Sequence, residues 1–143
     1  MKNSGSIEER LAVREFYGSF AHASSLGMTA EWMGHWAADC TWKTQHFTLQ
    51  GEAKVREQWD QLWANFDKVA LLHEICSVEV DGDRATVVCI AREIIQLSVG
   101  GIYKLAGCYQ DTLVRVGGDW RFASREYQPL VEEPPAAPAG PSA

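Results

Sequence analysis

Four strand-length runs in direct succession most constrain what this chain can fold into. They cover residues 69–81, 83–97, 101–116 and 119–129. Only Asp81-Gly82-Asp83, Gly100-Gly101 and Gly117-Gly118 separate them, and such turns join antiparallel neighbours. The second half is therefore a long antiparallel meander. A sheet that long twists and curls, and one of its faces needs a cover.

The first half supplies the cover. Ser6-Ile7-Glu8-Glu9 reads as a capping box. Behind it Val13, Phe16, Tyr17, Phe20 and Ser24 share one helical face, and Leu26-Gly27 ends the helix. A short second helix is predicted over 29–37, with Trp32, Met33 and Trp36 as its apolar side. "CTWKT" and "FTLQG" read as two short strands about a turn at Gln45-His46. A third helix over 52–66 carries Val55, Trp59, Leu62, Trp63 and Phe66 as a stripe. The order is α-α-β-β-α-β-β-β-β. This is an α+β fold, with a curved antiparallel sheet wrapped as a cone around three helices from the N-terminal half. A cone of this kind encloses an apolar cavity, the usual form of a small-molecule site. Residues 1–131 form one domain, and the Pro-, Ala- and Gly-rich tail 132–143 is expected to be disordered.

Composition excludes several classes. A net charge of -6 leaves no basic stripe for a phosphate backbone or an anionic membrane. No secretory leader opens the chain and no run reaches membrane-spanning length, so a cytoplasmic protein is expected. Cys40, Cys76, Cys89 and Cys108 lack C-x-x-C spacing and read as reduced thiols. The histidines His22, His35, His46 and His73 show no metal-ligand spacing. There is no phosphate loop, dinucleotide fingerprint or nucleophile elbow, so neither metal nor cofactor is expected.

A few residues invite chemistry. His73 sits in the apolar run "VALLHEICSV". Burial would hold the ring neutral, and a neutral imidazole is a competent base. The plainer alternative is a core histidine bonded to a carbonyl or serine. Arg125 in the last strand either faces the cavity, where it could stabilise an oxyanion, or points outward in a salt bridge to Asp111. A two-residue Gly117-Gly118 turn sets Arg125 opposite Gln110; a three-residue turn sets it opposite Asp111. Tyr17 is either a donor into the cavity or a core aromatic with its hydroxyl bonded to backbone. His22 falls opposite the apolar stripe and reads as exposed. Trp32, Trp36 and Trp42 are placed near the mouth, where they could stack on a flat ligand; Trp59, Trp63 and Trp120 read first as packing.

The segments "EFYGSFAHASS", "HWAADCTWK", "LQGEAKVREQW", "VEVDGDRATVVCIARE" and "CYQDTLVRVGGDWRFASREYQPL" together resemble the SnoaL-like branch of the nuclear transport factor 2-like superfamily over about residues 6–130. The resemblance implies a conical α+β fold and members with and without chemistry. The ketosteroid isomerase pattern would put its base at Thr44, its phenol at Tyr17 and its second acid near Thr112. Asp111 is one residue off, on the other face of the strand. The dehydrochlorinase pattern would put its histidine at His73, its arginine at Arg125 and the dyad carboxylate at Ser25, or at Ser24 if the helix end shifts. The resemblance thus implies a cofactor-independent enzyme of dehydratase, isomerase or aldol-cyclase type, acting on a hydrophobic cyclic oxygenated molecule. His73, Arg125 and Tyr17 would be catalytic. Ser24, Ser25, Trp32, Trp36, Trp42, Trp63, Gln110 and Thr112 would contact the ligand. The alternative is a non-catalytic ligand-binding or dimerisation module. Resemblance also implies a homodimer.

Overall fold

The computed structural model describes residues 2–136; most of the tail expected to be disordered lies outside the described residues. The elements run α1 (Ile7–Ser25), α2 (Thr29–Met33), β1 (Trp36–Lys43), β2 (Thr48–Gln50), α3 (Glu52–Asn65), β3 (Phe66–Asp81), β4 (Arg84–Leu97), β5 (Ile102–Val116) and β6 (Asp119–Glu133). Helices lead and the meander follows, as the sequence predicts. Boundaries differ in three places. Trp36 and Ala37 open β1 rather than close α2, β3 begins at Phe66 with no loop after α3, and β6 takes in Glu132 and Glu133 of the expected tail.

The helix starts as the sequence dictates. Ser6 Oγ accepts from the Glu9 N–H at 3.1 Å, and the Glu9 carboxylate accepts from the Ser6 N–H at 3.0 Å. These two bonds satisfy donors that a helix start otherwise leaves open. Val13, Phe16, Tyr17, Phe20, Ala23 and Ser24 then form the buried face of α1. None of the described helices is long and apolar enough to cross a membrane.

The six strands lie in the order β2-β1-β6-β5-β4-β3. β3 to β6 pair antiparallel in sequence, whereas β1 joins β6 in parallel, the one departure from an all-antiparallel sheet. Bulges bend the ladders. The register slips at Cys76 in β3 and at Ala123 in β6. Each extra residue sharpens the local twist and helps curl the sheet around its inner face. The helices cover that face. Tyr17, Phe20, Trp32, Trp36 and Phe122 meet there as an aromatic core whose ring centroids lie 4.9–6.2 Å apart in neighbouring pairs.

Candidate active site

A cavity of about 290 Å³ opens between the inner face of the sheet and the three helices. Its wall is mostly aromatic and aliphatic. α1 contributes Phe20 and Ser24, α2 Trp32, β1 Trp42, and α3 Trp59, Leu62 and Trp63. Arg125 stands in the wall from β6, and Glu93 from β4. Three tyrosines, Tyr103, Tyr109 and Tyr127, complete the sheet side.

Arg125 is the most constrained group. Only 3% of it is exposed, as is 3% of Asp111. Its Nε donates to Asp111 Oδ1 at 2.9 Å and its Nη2 to Asp111 Oδ2 at 3.0 Å. The Tyr17 hydroxyl donates to the same Oδ2 at 2.6 Å. Around this fork the guanidinium lies 3.7 Å from the Tyr109 ring centroid and 4.3 Å from that of Phe122. A bidentate, ring-stacked arginine holds its orientation, and Nη1 takes no part in the bonds to Asp111. Burial raises the Asp111 carboxyl against the pull of Arg125 and its hydrogen bonds. Burial and the charge of Asp111 raise the Tyr17 phenol, so that hydroxyl stays protonated. Tyr17 thus orients Asp111, and Asp111 orients Arg125.

Arg125 faces inward and is paired with Asp111 at once, which the either-or reading of the sequence did not contain. The cause is the Ala123 bulge. From Val116↔Asp119 to Leu113↔Phe122 the ladder follows the two-residue turn; past the bulge Thr112 meets Ser124 and Asp111 meets Arg125. Asp111 lies on the cavity side by the ordinary alternation of β5, with Tyr109 and Leu113, and the bulge turns Arg125 to that same side. Gln110 and Thr112 lie on the opposite face, in a polar trough with Thr86, Ser124 and Glu126, so they do not reach the cavity as expected.

His73 is not part of the cavity wall. Its ring sits behind Phe20, stacked on it at 6.1 Å and edge-on to Tyr17 at 5.3 Å. Neither ring nitrogen makes a well-formed hydrogen bond, although the Tyr17 backbone stands near enough to act on the ring. Burial, helped by the charge of Arg125, pushes its pKa down to about 3, against a weaker opposite pull from the Tyr17 backbone. The ring is therefore neutral near pH 7.

The other expected contacts divide. Ser24, Trp32, Trp42 and Trp63 line the cavity. Trp36 is fully buried in the core beside it. Ser25 Oγ accepts the Leu71 N–H at 2.9 Å, tying the end of α1 to β3. Thr44, Gln45 and His46, from the turn after β1, reach the mouth. There Gln45 donates to Glu132 at 3.1 Å, and the Tyr103 hydroxyl donates to the same carboxylate at 3.3 Å. The sequence reading missed Glu93. β4 alternates Val87, Cys89, Ala91, Glu93 and Ile95 inward. Its outward positions carry Arg84, Thr86, Arg92 and Gln96 beside Val88, Ile90 and Ile94, so alternation puts Glu93 on the apolar side, and a lone carboxylate there was the available signal.

These features accord with known proteins. The model of the SnoaL-like domain matches residues 5–126, and the chain belongs to that family, within the nuclear transport factor 2-like superfamily. No curated protein sequence matches the chain. A protein of Novosphingobium aromaticivorans, provisionally named a scytalone dehydratase, superposes with a TM-score of 0.84 at 20% identity, over 93% of this chain and 91% of that one. A type 2 hexachlorocyclohexane dehydrochlorinase, LinA, gives 0.80 at 17% identity, over 96% and 97%. The LinA type 3 enzyme of Novosphingobium barchaimii gives 0.78 at 15%, over 96% and 97%. At these identities the likeness shows the fold alone.

Proposed function

We propose that this chain is a small acid–base enzyme, working without a cofactor, on a hydrophobic, cyclic, oxygenated molecule held in the cavity. The reaction class is proton abstraction leading to dehydration, isomerisation or aldol ring closure. One observation carries the reading: a guanidinium fixed by Asp111 in the wall of an aromatic cavity. Removing a proton beside a carbonyl moves charge onto the carbonyl oxygen. A pre-oriented cation in a water-poor site stabilises that charge without reorganising. The tryptophan-lined wall suits a flat ring, and the dehydratase and dehydrochlorinase neighbours support chemistry of this kind in the same fold.

His73 and Tyr17 act from behind the wall in this reading. Tyr17 holds Asp111. His73 meets a ligand proton only when Phe20 turns aside, so the first proton acceptor has to stand elsewhere on the wall.

The test uses the cavity tryptophans as reporters. Titration with 1-tetralone and 3-hydroxy-1-tetralone should quench their fluorescence saturably. The hydroxyketone should dehydrate to 1-naphthol. Arg125→Lys keeps the charge but loses the fork, and should slow that reaction by about 10²–10³-fold. Absence of quenching by either compound at millimolar concentration overturns the proposal. A second reading, ligand binding without chemistry, is favoured by a serine, Ser25 or Ser24, where the resemblance implies the dyad carboxylate; the Ser25 hydroxyl is engaged with the Leu71 N–H and the Ser24 hydroxyl with the Phe20 carbonyl. Saturable quenching with no dehydration of the hydroxyketone is its signature.

A further inference from the structure

Two acids of the sheet face the interior, and they are treated in opposite ways. Asp111 has Arg125 directly across the ladder and the Tyr17 hydroxyl above it. Glu93 is flanked by Leu71 on β3 and Leu105 on β5, neither of which can pair with it. It is half-buried and lines the cavity. None of the hydrogen bonds or ion pairs among the described residues uses its carboxyl. Its oxygens are not sealed off either, unlike the Tyr127 hydroxyl and the Trp42 indole N–H, which are buried without partners. An apolar side chain at this inward position would serve the fold better, because an unpaired carboxyl between leucines costs desolvation. Groups kept in a cleft against that cost are candidates for chemistry.

We propose that Glu93 is a catalytic residue of this cavity, the group that exchanges a proton with a ring ligand whose carbonyl oxygen faces Arg125. The proposal rests on the acid–base reading above and supplies its missing acceptor. In the cyclic β-hydroxyketone already used as a probe, the Glu93 carboxylate takes the proton from the carbon between the carbonyl and the hydroxyl-bearing carbon. The C–H pair becomes the enolate double bond, and the negative charge rests on the oxygen beside Arg125. As the carbonyl re-forms, the C–O bond to the hydroxyl breaks, and that oxygen takes the proton back from Glu93 and leaves as water. The ketone-alcohol becomes an enone and water, with no change of oxidation state. One carboxyl serves as base and then as acid.

The surroundings suit both roles. Arg125 and Tyr127 face Glu93 from β6, Tyr103 and Tyr109 from β5, and Glu132 and His46 from the mouth; β3 and α3 offer only apolar and indole side chains. Burial raises the Glu93 carboxyl, and Arg125 opposes the rise. The acid form is therefore less costly than for a free carboxyl.

Glu93→Gln and wild type are compared with two probes. 1-Tetralone in D₂O reports deuterium uptake at the carbon beside the carbonyl, and 3-hydroxy-1-tetralone reports dehydration to 1-naphthol. Tryptophan quenching gives binding of both probes, and thermal melting confirms that the variant folds. The expected result is binding within about threefold of wild type, loss of both reactions by at least about 100-fold, and loss of the acid limb of the rate–pH profile. Partial recovery in Glu93→Asp strengthens the assignment. Equal rates in wild type and Glu93→Gln, or binding with no reaction in wild type, overturn the role of Glu93 while leaving the cavity as a ligand site. Failure of both probes to bind wild type removes the acid–base reading, and this proposal with it.

Discussion

Among single residues His73 makes the sharpest claim, because neither of its two buried ring nitrogens makes a well-formed hydrogen bond. An unsatisfied buried polar group costs roughly 1–3 kcal/mol. Its pKa is pushed down to about 3, chiefly by burial. An unfolded histidine titrates near 6.5. Between those values the unfolded chain carries a proton that the folded ring refuses. Stability therefore falls as pH drops from about 6.5 towards 3, by at most about 1.4 kcal/mol for each pH unit from this ring. His73→Leu should remove that part of the acid sensitivity and leave stability at pH 7 unchanged or higher. Urea denaturation of both proteins at pH 7 and pH 4.5 measures it. An unchanged difference between the two pH values would mean that the ring finds a partner in solution. The sequence showed the histidine in its apolar run. It could not show that Phe20 screens the ring from the cavity, because that depends on how α1 crosses β3.

At the level of elements, the β5–β6 ladder decides what the cavity contains. Its sequence signal was good for existence and poor for orientation. The Gly117-Gly118 turn fixes the first pairs, but no turn rule places a bulge, and Ala123 has nothing that marks it as one. The one-residue slip brings Phe122 and Arg125 onto the same face, three positions apart. Asp111, which alternation from Thr112 assigned outward, thereby meets Arg125. Gly107 is the other hidden determinant of this ladder. A β-carbon there would overlap the Tyr127 ring, which crosses the glycine to reach the cavity wall. Gly107→Ala should push Tyr127 into the cavity or out of the sheet. The expected cost is about 1–3 kcal/mol, the usual penalty for overpacking. Tetralone quenching should weaken along with it. A melting temperature and a binding curve that both match wild type would show that the ring has room to move. Residues 101–116 alone could not reveal this, since a glycine in a strand is equally a bulge or a close approach.

For the whole molecule, the outer face of the sheet is not uniform. Towards Thr86, Gln110, Thr112, Ser124 and Glu126 it is polar. Further along the strands Leu72, Ile90 and Ile94 point outward from β3 and β4, beside Ala106 and Cys108 of β5 and around the exposed Arg92. Leu72 is 53% and Ile90 38% exposed. Apolar side chains exposed on a strand surface are what a second copy would cover, and self-association through one patch produces a two-fold dimer. The expected homodimer should therefore form through this patch. Ile90→Lys adds a second positive charge beside Arg92, far from the cavity on the other side of the sheet. Sedimentation should give a dimer for wild type at micromolar concentration and a monomer for the variant, with tetralone binding retained. A wild-type monomer across that range would refute pairing, and a variant dimer would move the interface elsewhere. The arrangement has a functional corollary: β4 presents Glu93 on one face and Ile90 and Ile94 on the other. A dimer through that patch would hold the same strand rigid that carries the proposed catalytic carboxyl, so the Ile90→Lys monomer should keep its affinity but turn over the hydroxyketone more slowly.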